Sequence, residues 1–394
     1  MVRRFVISAF IPAVTLALTG AIGLTPAAAS SATWQINSVV GNPASQPGFS
    51  TVVASSADNA WAGGLTNCDS SCATQMAMVE QWNGQSWQPV TLPDSNLGGA
   101  GQLPVIGTSS ASNTWIFDSD INFIGYGVHV TDSGMTEMAM PASGGIQFTG
   151  AAVFGPDDAW AFGITGDFNL ANFSAYAAHY DGQTWTQLPT PPVVPETVSA
   201  LSSNDLWVMG VTTLAPSASS PTYEAAHWTG SGWTTIPLPD ANGLQLPQGA
   251  QLQPSGILAL SDSNVWVTSN ISVGMGFGPG VAVLRWDGRK WSAADVPGPK
   301  TLGQFDADIA YDGQGGFWVS GNASLKTFSG PYLYHYQNGD WSSQLAPLAD
   351  GIAPGFGGLA WIPGTTSLWG AATLLTTLPD GTQGSLGAIY QYGP

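Results

Sequence analysis

The chain has 394 residues, and its 7 Lys and Arg stand against 25 Asp and Glu, which gives a formal charge of −18. So few cations argue against nucleic acid as a ligand, because binding it depends on neutralising phosphates. A hydrophobic content of 44% argues against disorder, while 50 Gly and 28 Pro argue against a long helical bundle. The composition predicts a globular β protein.

Residues 1–29 have the features of a secretory signal peptide. Arg3 and Arg4 form a basic start, residues 6–24 form an apolar run, and residues 26–29 supply small side chains for cleavage. An uncleaved anchor is the alternative, because the run is nearly long enough to span a membrane. We expect cleavage and secretion, with no membrane insertion of the mature chain, since no second run of about 20 apolar residues follows.

Cys68 and Cys72 are the only cysteines of the chain. In an oxidising compartment two neighbouring cysteines usually form a disulfide. A metal or redox pair is the alternative, but the sequence offers neither further ligands nor a Cys-x-x-Cys spacing. We therefore expect a local disulfide between them, with a modest effect on stability because the loop it closes is short.

One tryptophan recurs about every 50 residues, after an apolar stretch and a short polar turn. The members of this series are Trp61, Trp115, Trp160, Trp207, Trp266, Trp318 and Trp369. The order of apolar stretch, turn and Trp predicts two antiparallel strands joined by a hairpin in each repeat.

A second motif follows in most repeats, with an aromatic residue, a tight turn such as Asn83-Gly84, and a Trp at the fifth position. The pairs are Trp82/Trp87, Tyr180/Trp185, Trp228/Trp233, Trp286/Trp291 and Tyr336/Trp341. Such turn dipeptides between two β runs predict a second hairpin. Each repeat therefore contains four predicted strands, a to d. In the second repeat Val130 and Met135 replace the aromatic pair.

The two ends of the chain complement each other. The seventh repeat stops after its third strand, near Tyr390, and an isolated strand of the d type occurs at about 33–40. A closed ring accounts for both, since the N-terminal strand then completes the last blade and removes a free edge. The predicted fold is all-β, a seven-bladed β-propeller in a single domain over residues 31–394. Its predicted blades cover about 46–95, 101–141, 145–192, 196–240, 254–299, 305–348, and 356–394 with 33–40.

The repeated aromatic and histidine positions have structural explanations. We expect the repeat tryptophans to fill the space between neighbouring blades rather than to stack on a ligand. His179, His227 and His335 share one position on strand c. We expect them in separate blades, with no shared metal.

The motif of Trp61, Ala62, Gly63 and Gly64 followed by Trp82 and Trp87 resembles a kelch-type repeat. The resemblance covers essentially the whole mature chain and extends to exported bacterial propellers with similar Trp repeats. The chain departs from the kelch pattern because most blades have one Gly and because the aromatic-to-Trp spacing is five. Kelch-like folds include a copper oxidase, scaffold domains and adhesins, so the resemblance implies a fold without one function.

Two loops differ most from the repeat pattern. In a propeller the b–c and d–a loops share one face, where ligands usually bind. On that face the b–c loops of repeats two and three combine acids, amides and aromatics, and we take them as the candidate binding site: Asp118, Asp120, Asn122, Phe123, Asp167, Phe168, Asn169, Asn172 and Phe173. The alternative is ordinary loop polarity with Asx turns. Asp306 and Asp308 add acids near the first strand of blade six.

These residues favour a secreted binding protein for a glycan or a protein, monomeric and without cofactor or metal. The acidic stretch at 118–122 resembles the start of a calcium loop, but it lacks the Gly and the distal Glu. A carbohydrate-active enzyme, either a glycoside hydrolase or a lyase, is the alternative if loop carboxylates act as acid and base. A structural envelope protein is a further alternative. We expect no catalytic activity, because no nucleophile or zinc motif occurs.

Overall fold

The computed structural model describes residues 32–67, 75–93, 102–120, 122–167, 172–212, 222–239, 243–244, 250–273, 276–294, 308–321 and 332–394. These residues contain 28 strands and one three-residue 3-10 turn, Pro43–Ser45. In the same ranges no helix is long and apolar enough to cross a membrane. Ala32–Gly393 form one compact unit.

The strands form seven antiparallel sheets of four strands each, the blades. Blade 1 contains β2 (Gly48–Ser56), β3 (Asn59–Asn67), β4 (Gln75–Trp82) and β5 (Trp87–Pro89). Blade 2 contains β6 (Val105–Ser110), β7 (Asn113–Ser119), β8 (Gly125–Thr131) and β9 (Gly134–Ala139). Blade 3 contains β10 (Gly145–Gly155), β11 (Asp158–Asp167), β12 (Asn172–Tyr180) and β13 (Trp185–Gln187). Blade 4 contains β14 (Val194–Ser202), β15 (Asp205–Val211), β16 (Tyr223–Trp228) and β17 (Trp233–Pro237).

The remaining blades repeat this pattern. Blade 5 contains β18 (Ala250–Ser261), β19 (Asn264–Val273), β20 (Gly276–Trp286) and β21 (Trp291–Ala294). Blade 6 contains β22 (Ile309–Tyr311), β23 (Phe317–Ser320), β24 (Tyr332–Gln337) and β25 (Asp340–Leu345). Blade 7 contains β26 (Pro354–Trp361), β27 (Leu368–Thr377), β28 (Gln383–Gly393) and the N-terminal β1 (Thr33–Val40).

The first strands of the blades close into a ring. Each contacts the first strand of the next blade, and β26 of blade 7 contacts β2 of blade 1. β1 pairs antiparallel with β28, so the N-terminal strand completes the last blade. Blade 2 forms four strands even without its aromatic pair, with Val130 opposite Met135. The predicted seven-bladed β-propeller is confirmed.

The core lies between the blades. The strand-b Trp369 of blade 7 packs against Trp82 and Trp87 of blade 1, with ring centroids 5.0 and 5.1 Å apart. In blade 2 the indole of Trp115 packs in the same way against Tyr180 and Trp185 of blade 3. These tryptophans fill the space between neighbouring blades, as predicted.

The strand-c histidines each bind a side chain of their own blade. The Nε2 atoms of His179, His227 and His335 lie 2.8–2.9 Å from carboxylates of the a–b turn or the start of strand b, those of Asp158, Asp205 and Asp312. In blade 2 His129 makes the same contact with Asn113 at 2.8 Å. The three predicted histidines therefore lie in separate blades. The sequence analysis did not identify His129 as a fourth member or the turn residues as partners.

Candidate functional site

The blade 2 part of the predicted site is mostly engaged in local structure. Asp118 and Ser119 belong to strand β7, which corrects their assignment to a loop. Asp118 is 1% exposed, and its Oδ1 accepts a hydrogen bond from the N–H of Ser119 at 2.7 Å. The Ser119 hydroxyl donates to the carbonyl of Ile146 in blade 3 at 2.6 Å. This end of β7 therefore joins two blades and does not open to solvent.

Asp120 forms an Asx turn. Its Oδ1 accepts hydrogen bonds from the N–H groups of Asn122 and Ile124, both at 2.8 Å. Phe123 takes a left-handed backbone conformation with φ 63°, and its carbonyl accepts the N–H of Ile146 at 2.8 Å. The sequence analysis left open that the polar residues of this loop only form Asx turns. The structure shows such a turn at Asp120.

The described blade 3 candidates lie where strands β11 and β12 meet the b–c loop. Asp167 ends β11 opposite Asn172, and Phe173 is half-buried opposite Gly166. A pocket of about 300 Å³ adjoins the blade 2 loop, and none of the described blade 3 candidates lines it. Its described walls are Asn122, Ile124, Gly125, Met140 and residues 142–146. The rest of the predicted set, Phe168 and Asn169, lies outside the described residues, as do Cys68, Cys72 and their expected disulfide.

A cavity of about 810 Å³ lies where the first strands of the blades meet. All seven blades line it, through residues 50–52, 102–106, 147–151, 196–198, 253–255, 308 and 357–358. Each first strand runs from the face that carries the b–c loops, here called the loop face, toward the a–b turn. The described lining residues come mainly from the first half of each strand, so the cavity lies nearer the loop face than the a–b turns. The sequence analysis placed the binding site on that face but in its loops.

A repeated bulge sets the chemistry of the cavity wall. In five blades the pairing of the first two strands shifts by one residue and leaves one residue outside the ladder. These residues all line the cavity and are here called the bulge ring: Ser50, Thr149, Glu196, Ser255 and Gly357. Pro104 takes the same repeat position in blade 2, and the corresponding Ala307 of blade 6 lies outside the described residues.

The bulge also explains a glycine of the repeat. A Cβ on Gly64, Gly163 or Gly210 of strand b would lie 1.8–2.1 Å from a carbonyl oxygen of the first strand, just before the bulge. No side chain fits at these three positions, because the first strand approaches the second strand too closely there. Ser269 and Ala372 take the equivalent position in blades 5 and 7, so the close approach is a property of blades 1, 3 and 4.

Carboxamides form a second level of the wall. Gln102, Gln147 and Gln253 each precede the bulge position by two residues, nearer the loop face, and Asn270 lies opposite Gln253. Gln102 is 6% exposed, and its Nε2 has no hydrogen-bond partner in the described part of the chain. The buried Thr149 hydroxyl of the bulge ring is also without a partner among those residues. Both atoms are enclosed by protein, whereas the Gln253 carboxamide is exposed in the cavity wall and can donate to and accept from a ligand.

Glu196 is the one ionisable residue of the described bulge ring. The Glu196 side chain is exposed to water in the cavity. The protein around its carboxyl group nevertheless reduces its solvation, and this desolvation raises its pKa to about 7. Tyr223 of β16 lies near it. Burial and, second, the negative charge of Glu196 raise the pKa of Tyr223 to about 12. Among the described residues no Lys, Arg or His forms an ion pair with Glu196.

Asp308 is the other acid of the described cavity wall. Its Oδ2 accepts the N–H of Leu359 in blade 7 at 2.6 Å, and its own N–H donates to the Ser320 hydroxyl at 2.9 Å. The carboxylate therefore links blades 6 and 7. Over the described ranges, His, Cys, Asp and Glu side chains nowhere gather in groups of three that could hold a metal ion.

Comparison with known proteins identifies the fold. No family model and no curated protein matches the chain. A solved YCF48 protein bound to a D1 peptide is similar, with a TM-score of 0.54 and 15% identity over 92% of this chain and 97% of that one. A GH74 xyloglucanase from Xanthomonas campestris gives a TM-score of 0.54 and 14% identity over 90% of this chain and 55% of the enzyme. The acylaminoacyl peptidase of Pyrococcus horikoshii gives 0.51 and 9% over 89% of this chain and 52% of that one. At these identities the likeness is one of β-propeller fold alone.

Proposed function

We propose that the chain is a secreted, non-enzymatic binding protein that seats a segment of a protein ligand in its central cavity, entered from the loop face. One observation supports this most directly. All seven blades contribute to a cavity of about 810 Å³ whose wall carries exposed polar side chains, among them Gln253 and Glu196. An exposed carboxamide can donate a hydrogen bond to a ligand carbonyl and accept one from a ligand N–H.

The chemistry of the wall suits a peptide segment. A carboxamide both donates and accepts, which is what pairing with a backbone amide requires. Three such groups stand at one level, and the hydroxyls of Ser50 and Thr149 stand at the next. For a sugar, the described wall offers one partly exposed aromatic ring, Tyr223, since Phe148 is 6% exposed. A propeller of similar fold is bound to a peptide, so the architecture is compatible with such a ligand.

A glycan ligand, an enzyme and a structural envelope protein are the other functions that the sequence left open. The enzyme alternative needs two free carboxyl groups about 5–10 Å apart. Of the two described acids in the wall, Asp308 already binds the N–H of Leu359, which leaves Glu196. The geometry therefore gives the enzyme less support than the binding protein.

A pair of matched variants tests the site. Gln253→Trp fills the cavity from an exposed wall position, and Gln187→Trp makes the same change on the outer strand of blade 3. Random peptides displayed on phage are selected on the purified protein and then measured against both variants. We expect the selected peptides to bind the unmodified protein and Gln187→Trp, and to lose at least about tenfold in affinity on Gln253→Trp.

Other results contradict parts of the proposal. Equal binding to both variants would place the peptide site outside the cavity. A glycan array screened with the same proteins tests the glycan alternative. If no peptide is selected and Gln253→Trp abolishes binding to a sugar on the array, the ligand of the cavity is a glycan and not a protein. Release of sugar from a bound polysaccharide would favour the enzyme.

A further inference from the structure

We propose that the ligand segment seated in the cavity carries a basic side chain, lysine or arginine, whose cationic group is bound by Glu196. This inference rests on the proposed function and specifies the chemistry of the ligand. It follows from the position of Glu196, from its lack of a cationic partner, and from the groups that surround it.

The position of Glu196 is the first argument. At the bulge position other blades carry a hydroxyl, a proline or no side chain, in Ser50, Pro104, Thr149, Ser255 and Gly357. None of these can hold a charge. A carboxylate at one place in an otherwise neutral ring fixes one ionic contact and makes the cavity asymmetric, which orients an extended ligand.

The lack of a partner is the second argument. The described cations are Arg285, Arg289 and Lys290, and they lie on β20 and in the c–d turn of blade 5, at the end opposite the loop face. Arg285 stacks on Trp266, 5.4 Å from the ring centroid. The Glu196 side chain is exposed to the cavity, so a ligand can reach its carboxylate. No described cation pairs with Glu196, so a cation of the ligand can bind there.

The surroundings are the third argument. Among the described residues of the cavity wall, the other titratable groups are Tyr223 of β16 and Asp308 before β22, and neither supplies positive charge. The whole chain carries a formal charge of −18, which attracts basic ligands over longer distances and repels acidic ones. The exposed Gln253 carboxamide of the wall can then bind the neutral backbone that carries the basic side chain.

Cation binding is coupled to a proton. The pKa of Glu196 is about 7, so close to neutral pH part of the population is protonated and must lose its proton before a cation binds. An ammonium or guanidinium group therefore binds with release of a proton below this pH. The apparent affinity should rise by about tenfold between pH 6 and pH 8, as the competent ionised fraction rises.

Two capped pentapeptides, with glycine around a central lysine or a central norleucine, test the inference by calorimetry. The variant Glu196→Gln removes the charge and keeps the shape of the side chain. Its control is Glu137→Gln, which removes a charge from the exposed outer strand β9. We expect the lysine peptide to bind at least about tenfold more tightly than the norleucine peptide. We expect Glu196→Gln to abolish this difference and its pH dependence, and Glu137→Gln to retain both.

The outcomes distinguish this inference from the proposed function. Equal affinities of the two peptides, both lost in Gln253→Trp, would overturn the basic ligand while leaving the peptide site in the cavity. A lysine preference that survives both Glu196→Gln and Gln253→Trp would place the cation on the acidic surface of the protein. That result would overturn both this inference and the proposed cavity site. No binding of the lysine peptide at millimolar concentration, or an affinity that does not change between pH 6 and pH 8, also overturns the inference. An arginine peptide in the same series shows which of the two basic side chains is bound.

Discussion

Trp34 lies directly opposite Tyr392 in the pairing of β1 with β28, and their ring centroids are 5.6 Å apart. The two residues come from opposite ends of the chain, yet they form the aromatic pair that other blades build from a single hairpin. Both rings pack against Trp318 of blade 6, at 5.7 and 4.6 Å. The seventh interblade contact therefore depends on ring closure.

Replacement of Trp34 by alanine should strongly destabilise the fold. The side chain is 4% exposed and contacts Trp318 and Phe356, so its loss leaves a large cavity. We expect the free energy of unfolding to fall by about 3–5 kcal/mol, as measured by denaturant titration. Gln35→Ala, on the exposed face of the same strand, should change it by less than about 0.5 kcal/mol. A loss in Trp34→Ala as small as that in Gln35→Ala would show that β1 contributes through its backbone pairing alone.

The strand-b glycines should tolerate no side chain. A Cβ at Gly210 would lie 1.8 Å from the carbonyl oxygen of Val194, and one at Gly163 would lie 2.1 Å from that of Gln147. Because backbone must move, each change to alanine should cost about 1–3 kcal/mol or more. Gly232→Ala is the control, since a Cβ there meets nothing within 4 Å. Unfolding of Gly210→Ala at the unmodified midpoint would contradict the close approach at the bulge.

The carboxyl of Glu196 should make stability fall as pH rises toward neutrality. Its folded pKa of about 7 lies above the ordinary value of 4.5, so the folded state binds more protons than the unfolded state between these pH values. Stability associated with this group is therefore complete at low pH and decreases through this window. In Glu196→Gln this part of the slope of melting temperature against pH should disappear. The exposed Glu137→Gln should keep it, and an unchanged slope in Glu196→Gln would refute the raised pKa.

The histidine of blade 2 should act in the opposite direction. Burial lowers the pKa of His129 below its ordinary 6.5, so the unfolded state binds the proton more readily. The contribution of His129 to the free energy of unfolding is complete above pH 6.5. It is lost as the pH falls from the pKa of the unfolded state toward the lower pKa of the folded state. His129→Gln keeps a donor toward Asn113 and cannot titrate, so it should be less sensitive to acid than the unmodified protein. Nuclear magnetic resonance titration of the His129 ring measures the pKa directly.

The sequence predicted the blades well because their signals are local. A turn dipeptide between two aromatic residues indicates a hairpin wherever it occurs. The unmatched strand at 33–40 could pair with the third strand of the seventh repeat, which lacked a fourth strand. The pairing of Trp34 with Tyr392 escaped notice because the pattern is split between the ends. The prediction that Asp118 lies in a loop was wrong for a related reason. Its polar neighbours in the sequence indicate a loop, whereas the structure places it, buried, at the end of β7.

The cavity could not be predicted from motifs, because its residues come in short runs from strands that are distant in sequence. Glu196 has no neighbouring pattern that marks it as functional. One signal was nevertheless present. When the first strands are aligned on the residue that pairs with the strand-b Trp, Glu196 is the only acid at the third preceding position. That alignment, rather than the acidic loops, identifies the residue that faces the cavity.

The bulge separates the adaptable part of the molecule from the part that must stay constant. A bulged residue lies outside the hydrogen-bonded ladder and away from the aromatic layers between blades, so its side chain can change without altering either. The ring therefore works as a set of independently replaceable positions on a fixed frame. Proteins with the same frame could acquire different ligands by exchanging single residues at these positions, while the strand pairing and the packing between blades stay the same.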